Sequence, residues 1–128
     1  MKVLVDTHAI LWWLADERHL SRRARRILEN SENRRLVSIA SLWEIAIKMK
    51  LGSLPTEGLT LRMIADELTE QEFAILPVRL EDLLQLERLP TLHRDPFDRI
   101  LVSQALEEGI PMLTKDTAIQ QYSIETIW

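Results

Sequence analysis

The chain has 128 residues, the size of one domain, and 46% of them are hydrophobic, enough to bury a core without staples. It has no cysteine, which excludes disulfides, thiolate zinc sites and a cysteine nucleophile, and suits a reducing cytoplasm. The formal net charge of −4 argues against a generic basic nucleic-acid coat, although a metal ion or a local basic patch can handle phosphate in an acidic protein. The start, Met1-Lys2 and a short apolar run, is too short for a signal peptide. No window approaches the roughly 18 apolar residues of a membrane span.

Residues 2–5 (KVLV) read as a buried strand, ended by Asp6-Thr7. A helix follows over Ala9 to Ala15, so Asp6 sits where a strand gives way to a helix. Ser21 is a cap for a second helix to about Ser31, in which Ala24, Ile27 and Leu28 share one face. Arg22, Arg23, Arg25 and Arg26 crowd that helix, and Arg34 and Arg35 follow; they form a solvated face or meet phosphate. Leu36 to Ile39 reads as a second strand.

Ser38 or Ser41 opens the next helix, Leu42 to Leu51, which is apolar nearly all round and therefore expected to be buried on most sides. Glu44 falls in its first turn. It is either the partner of Lys48 at i+4, worth about 0.3–0.5 kcal/mol, or a functional acid. Gly52 to Gly58 is a loop by its punctuation. Leu61 to Thr69 reads as a helix, Phe73 to Leu76 as a third strand and Leu80 to Leu89 as a short helix.

The segment Asp95-Pro96-Phe97-Asp98 combines an N-cap, a proline suited to the first helical position and a second acid at the capping-box position. From Asp98 the apolar row Leu101, Val102, Ala105 runs at i+3, i+4 and i+7, so Asp98 shares the inward face of a helix that stops at Gly109. An inward acid needs compensation, and a metal ion supplies it. Pro111 to Thr114 is a fourth strand, leading to Lys115-Asp116. Asp116 is placed to cap a short helix, Thr117 to Gln121, before a weak last strand over Ile124 to Ile127.

No repeat or linker divides the chain, so residues 1–128 are expected to form one domain. Strands alternating with helices predict an α/β sandwich around a mostly parallel sheet. In such a sheet the ligand crevice lies outside the carboxyl ends of the strands. Asp6 and Asp116 fall just past strand ends, and Glu44 and Asp98 near helix starts. Four converging carboxylates would repel unless a cation joined them. Oxygen ligands without cysteine suit Mg²⁺ or Mn²⁺, and the simplest chemistry of such a site is phosphodiester hydrolysis.

Four stretches carry a resemblance: VLVDTHAILWWL (3–14), SIASLWEIAIK (38–48), HRDPFDRILVSQALEEG (93–109) and PMLTKD (111–116). Spread over nearly the whole chain, they resemble PIN-domain ribonucleases, and more closely VapC-type toxins of type II toxin–antitoxin systems. The resemblance implies a Rossmann-like PIN fold and Mg²⁺- or Mn²⁺-dependent endonucleolytic cleavage of RNA. It also implies a homodimer and a cognate antitoxin whose tail reaches the active-site groove. It carries metal-site acids to Asp6, Glu44 and Asp98, with Asp116 as the fourth, more variable acid and Thr114 as the hydroxyl beside it. Asp95 remains a cap.

On this reading Asp6 and Asp98 hold the principal metal, Glu44 binds it or orients water, and Asp116 acts from further out or on a second metal. His8, two residues after Asp6, touches phosphate or is an ordinary surface residue, and His93 is similar. Trp12 and Trp13 are neighbours that cannot share a face, so one is available to a dimer or antitoxin contact. A haloacid-dehalogenase-like phosphatase would want a second acid where His8 stands, and a receiver domain would want paired acids after strand one. The remaining alternative is a catalytically silent PIN-like module that binds proteins, which the presence of Asp6, Glu44 and Asp98 disfavours.

Overall fold

The sheet is built outward from the first strand, β1 (Lys2–Val5), whose residues are apolar on both faces. In the computed structural model, which describes residues 1–54 and 58–128, β1 lies between β2 (Arg34–Ser38) and β4 (Met112–Leu113). Outside them are β3 (Ala74–Leu76) and β5 (Thr126–Ile127), giving the order β3-β2-β1-β4-β5 with every pair parallel. Register is set by pairs such as Leu4 with Leu36 and Leu4 with Met112. Parallel strands need long crossovers. Among the described residues six α-helices supply those between β1 and β4: α1 (Thr7–Ala15), α2 (Arg22–Glu29), α3 (Ile39–Lys50), α4 (Leu61–Glu70), α5 (Leu80–Arg88) and α6 (Pro96–Glu108).

Because strand side chains alternate, β1 feeds two cores at once. Val3 and Val5 join Val37, Leu113, Ala9, Ile10, Leu28 and Ile45 on one face. Leu4 joins Leu36, Met112, Leu101, Val102 and Ala105 on the other. A strand covered on both sides reads as a continuous apolar run rather than an alternating one. Each fully buried leucine here is worth about 1.5–3 kcal/mol. The expected α/β architecture with a parallel sheet is therefore observed. Among the described residues, no helix is long and apolar enough to cross a membrane.

The chain winds one way from β1 through β2 to β3 and returns on the other side of β1 as β4 and β5. The strand order thus reverses between β1 and β4. A reversal of this kind opens a crevice at the carboxyl ends of the two strands.

Several boundaries differ from the sequence reading, each for a local reason. α1 begins at Thr7 because Asp6 is its cap. α3 begins at Ile39, since Ser38 rather than Ser41 caps it, and Glu44 accordingly sits in the second turn rather than the first. Nor is α3 buried on most sides: Trp43 is 63% and Ile39 45% exposed. A helix laid on a sheet buries only the side that meets the sheet and its neighbours, and the remaining apolar residues of α3 face outward. β4 pairs over two residues, not four. Asp116 is followed by a single tight turn, Ile119–Gln121, in place of the expected helix from Thr117. Of the expected loop from Gly52 to Gly58, residues 55–57 lie outside the described residues; Gly52 adopts φ 74° and Gly58 φ 77°.

Candidate active site

Asp6 is the first residue after β1 and lies at the switch point. Its backbone N–H donates to the Leu113 carbonyl at 3.1 Å, so the end of β1 is tied to the end of β4. Its side chain caps α1, Oδ1 accepting from the His8 N–H at 2.7 Å. The other oxygen, Oδ2, accepts from the Thr114 hydroxyl. Thr114 follows β4, and its Oγ1 accepts in turn from the Asp116 N–H at 3.0 Å. Asp116 Oδ1 then accepts from the Ala118 N–H at 2.8 Å. Asp6 is 3% exposed. Burial raises its pKa, against the opposing pull of the Thr114 and His8 hydrogen bonds.

Asp98 comes from the other end of the chain. Asp95 caps α6, Oδ1 accepting from the Phe97 and Asp98 N–H groups at 2.9 and 3.1 Å. Pro96 opens the helix, and the inward apolar row brings Asp98 to its buried face. The capping-box partnership with Asp95 is not formed. Instead Asp98 Oδ2 meets His93 Nε2 at 3.2 Å. The Asp98 carboxyl is pushed up to about 6, first by burial and then by the charge of Asp95, with Asp116 and Asp6 adding to it. The His93 contact works in the opposite direction. Asp6, Asp98 and Asp116 therefore lie within electrostatic reach of one another.

Glu44 arrives on α3. The Thr7 hydroxyl donates to Ser41 Oγ at 2.9 Å in a buried contact, fixing the first turn of α3 against the start of α1. Glu44 is three residues beyond Ser41 and so lies on the same helix face. It is buried, with Oε2 at 3.1 Å from Lys48 Nζ, the i+4 pair foreseen from the sequence. Oε1 is buried without a hydrogen-bond partner among the described residues. Such an orphaned oxygen costs about 1–3 kcal/mol or more.

Asp6, Asp98 and Asp116 thus lie near one another, Glu44 follows on the helix whose first turn meets α1, and each of the four is turned to a partner of its own: Thr114, His93, Lys48 or the Ala118 amide. Among the described residues, no three of the carboxylates and imidazoles stand around a common point close enough to hold an ion as they are. The donor set nevertheless fits a hard divalent cation. It is all oxygen, three of its four acids are buried, one carboxylate oxygen is unsatisfied, and two carboxyls are held above their ordinary pKa.

Beside Asp6 opens a cavity of 340 Å³ lined by Asp6, His8, Trp12, Lys115, Asp116 and Thr117. Lys115 Nζ stands 4.9 Å over the Trp12 ring, and His19 stacks on that ring at 5.3 Å. Trp13 turns away, its Nε1–H donating to Gln71 Oε1 at 2.7 Å. Of the two adjacent tryptophans, then, Trp12 belongs to the cavity and Trp13 to the packing against Phe73.

The arginines divide similarly. Arg22, Arg23 and Arg26 are exposed. Arg35, a candidate for phosphate contact in the sequence, is instead buried, donating to the Leu28 and Gln71 carbonyls with its guanidinium 4.3 Å over Phe73. Sequence reasoning did not identify Tyr122 and Arg99 at the site. Tyr122 lies 29 residues from His93, and no local pattern marks it.

A family model described as the PIN domain matches residues 3–125. The fold is similar to that of VapBC2 from Rickettsia felis, solved bound to a DNA fragment from their promoter: TM-score 0.76 at 13% identity, over 99% of this chain and 98% of that one. It is similar to FitAcB from Neisseria gonorrhoeae, with TM-score 0.72 at 17% identity over 100% and 97%. It is also similar to a toxin–antitoxin complex from Klebsiella pneumoniae, with TM-score 0.64 at 15% identity over 98% and 96%. Comparison with curated proteins gives no match.

Proposed function

The chain belongs to the PIN-domain family, and from that premise we propose that it is a metal-dependent endoribonuclease, the VapC-type toxin of a type II toxin–antitoxin module. The observation that carries the reading is the burial of three carboxylates: Asp6 at the switch point of the sheet, Asp98 within its electrostatic reach, and Glu44 on the helix whose first turn contacts α1. Asp6 also caps α1 and Glu44 also pairs with Lys48, but a Glu44 Oε1 unpartnered among the described residues and two carboxyls held above their ordinary pKa are a cost that a bound cation would offset. A silent binding module would have no need to retain all three.

Asp6, Asp98 and Glu44 would hold a Mg²⁺ or Mn²⁺ ion, with Asp116 beyond them or on a second ion. What such an ion supplies when bound is Lewis-acid stabilisation of the phosphodiester and a water acidic enough to attack it. The rest falls to the protein. Thr114 orients the Asp6 carboxylate through Oδ2, and the α1 amide at His8 holds Oδ1. Lys48 balances the charge of Glu44 at Oε2 and leaves Oε1 to act. In the neighbouring cavity Trp12 offers a ring on which a base can stack, and Lys115 a cation for a phosphate. The RNA strand would therefore enter past Trp12 and present its backbone to the acids.

The protein partners we infer are a second copy of the chain and a cognate antitoxin, acting with it in the cytoplasm. Support for the antitoxin comes from the similar Klebsiella pneumoniae structure, which is named as a toxin–antitoxin complex.

The test is cleavage of total RNA by the purified chain. Asp6→Asn or Asp98→Asn is expected to lower the rate about 1000-fold, the equivalent of several kcal/mol of transition-state stabilisation, with the melting temperature unchanged or raised. EDTA should abolish cleavage, and Mg²⁺ or Mn²⁺ should restore it. Undiminished cleavage by either variant would refute the assignment.

A further inference from the structure

Behind Asp98 lies a chain of polar contacts that the proposed hydrolysis does not itself require. His93 Nε2 is 3.2 Å from Asp98 Oδ2, and His93 Nδ1 is 2.8 Å from the Tyr122 hydroxyl. The same hydroxyl receives the His93 backbone N–H at 3.3 Å and Arg99 Nη1 at 3.0 Å. Arg99 is anchored in turn, donating to the Pro90 carbonyl at 2.9 Å. Tyr122 is buried, and His93 is partly buried, its side chain 16% exposed.

Counting protons on these atoms leaves one arrangement. A guanidinium and a backbone amide only donate. The Tyr122 oxygen has two lone pairs, and Arg99 and the His93 amide fill both. Its own proton must therefore point at its remaining partner, His93 Nδ1, which must accept. A neutral imidazole that accepts at Nδ1 carries its proton on Nε2. That nitrogen faces Asp98 Oδ2, and an ionised carboxylate only accepts. The requirements of Tyr122 and of Asp98 thus agree on one tautomer, although they are set by residues at opposite ends of the contact chain.

We propose that Tyr122, gripped by Arg99, locks His93 in the Nε2–H tautomer and makes it a positioning residue for Asp98. His93 then spends its one ring proton on Oδ2. Oδ1 has no hydrogen-bond partner among the described residues and remains for a ligand. Resting on the metal-nuclease reading, this arrangement fixes the orientation in which Asp98 meets its cation. Partners of this kind, one step behind a metal ligand, typically change metal affinity or activity by about 10–100-fold when removed.

The experiment has two readouts. In the first, the ¹⁵N-labelled metal-free chain is examined by long-range ¹H–¹⁵N correlation at pH 7.5. The expected spectrum shows His93 with a protonated-type Nε2 and an unprotonated-type Nδ1. A protonated Nδ1 overturns the proposal. In the second, Mn²⁺ binding is followed by electron paramagnetic resonance, with melting temperatures as the control. Tyr122→Phe and His93→Ala are expected to bind Mn²⁺ about tenfold more weakly or worse. His93→Gln, which keeps an N–H donor, should recover part of the loss. Parental affinity in both Tyr122→Phe and His93→Ala overturns the proposal. Absence of Mn²⁺ binding by the parent would overturn the metal-site reading instead, and the spectrum would then decide the tautomer by itself.

Discussion

Asp98 shows how one buried carboxylate links stability to function. Burial and the charge of Asp95 push it up to about 6, above the ordinary carboxylate range. The fold therefore favours its neutral form. Its contribution to stability is full below about pH 4, the range of the unfolded group, and is lost as pH rises through about 6. At neutral pH the ionised form is therefore a cost to the metal-free protein. A divalent cation would reverse this sign by rewarding the charged form. Proton and cation then compete, so apparent Mg²⁺ affinity is expected to fall about tenfold per unit below pH 6. Calorimetric titration at pH 5 and pH 7.5 measures this, and equal affinities would rule out Asp98 as a ligand. At this scale the sequence is informative where a residue's role is set by its neighbours in the chain: Asp95 as cap, Asp98 as an inward acid, Lys48 as the partner of Glu44. It is silent on Arg35, whose burial depends on the carbonyls of Leu28 and Gln71, and on Tyr122, whose partners come from another segment.

Among the elements, α6 carries the most local instruction. Asp95 satisfies two orphan amides, Pro96 presets the first turn, and Gly109 ends the helix in the left-handed region at φ 65°. Asp95→Ala should cost about 1 kcal/mol through the lost cap, while Asp95→Asn, which caps as well, should cost little. Denaturant unfolding of the two variants separates the cases; equal losses would mean that the charge and not the capping bond matters. α3 is the contrasting element. Its composition predicts burial all round, but composition cannot say which side a neighbour will cover. Ile39, Trp43 and Ile47 keep an exposed side, Trp43 with its ring edge-on to Phe97 of α6, and the sheet, α1, α4 and α6 cover the rest.

That outward side bears on the molecule as a whole. A cavity of 370 Å³ between α3, α5 and α6 is lined only by apolar residues, among them Ile39, Trp43, Val78, Leu83 and Phe97. Exposed apolar surface of this kind marks an interaction site. A charge-free patch can face its own copy across a two-fold axis without like-charge repulsion. The chain is therefore expected to be a dimer by light scattering, and Trp43→Glu to be a monomer that melts cooperatively. A monomeric parent, or a dimeric Trp43→Glu, would disprove that assignment.

What the sequence determined by itself was everything that depends on spacing along the chain. The apolar run of β1, the caps at Ser21 and Asp95, the alternation of strands and helices, and the acids Asp6, Asp98 and Asp116 at element ends are all local patterns, and local patterns survive without coordinates. Tertiary structure alone decided that the strand order reverses between β1 and β4, that Thr114 donates to Asp6 and that Tyr122 and Arg99 stand behind His93. The reason is physical. These contacts join residues up to 108 positions apart, and such pairings form only when burial of two shared cores has repaid the entropy of closing the chain between them.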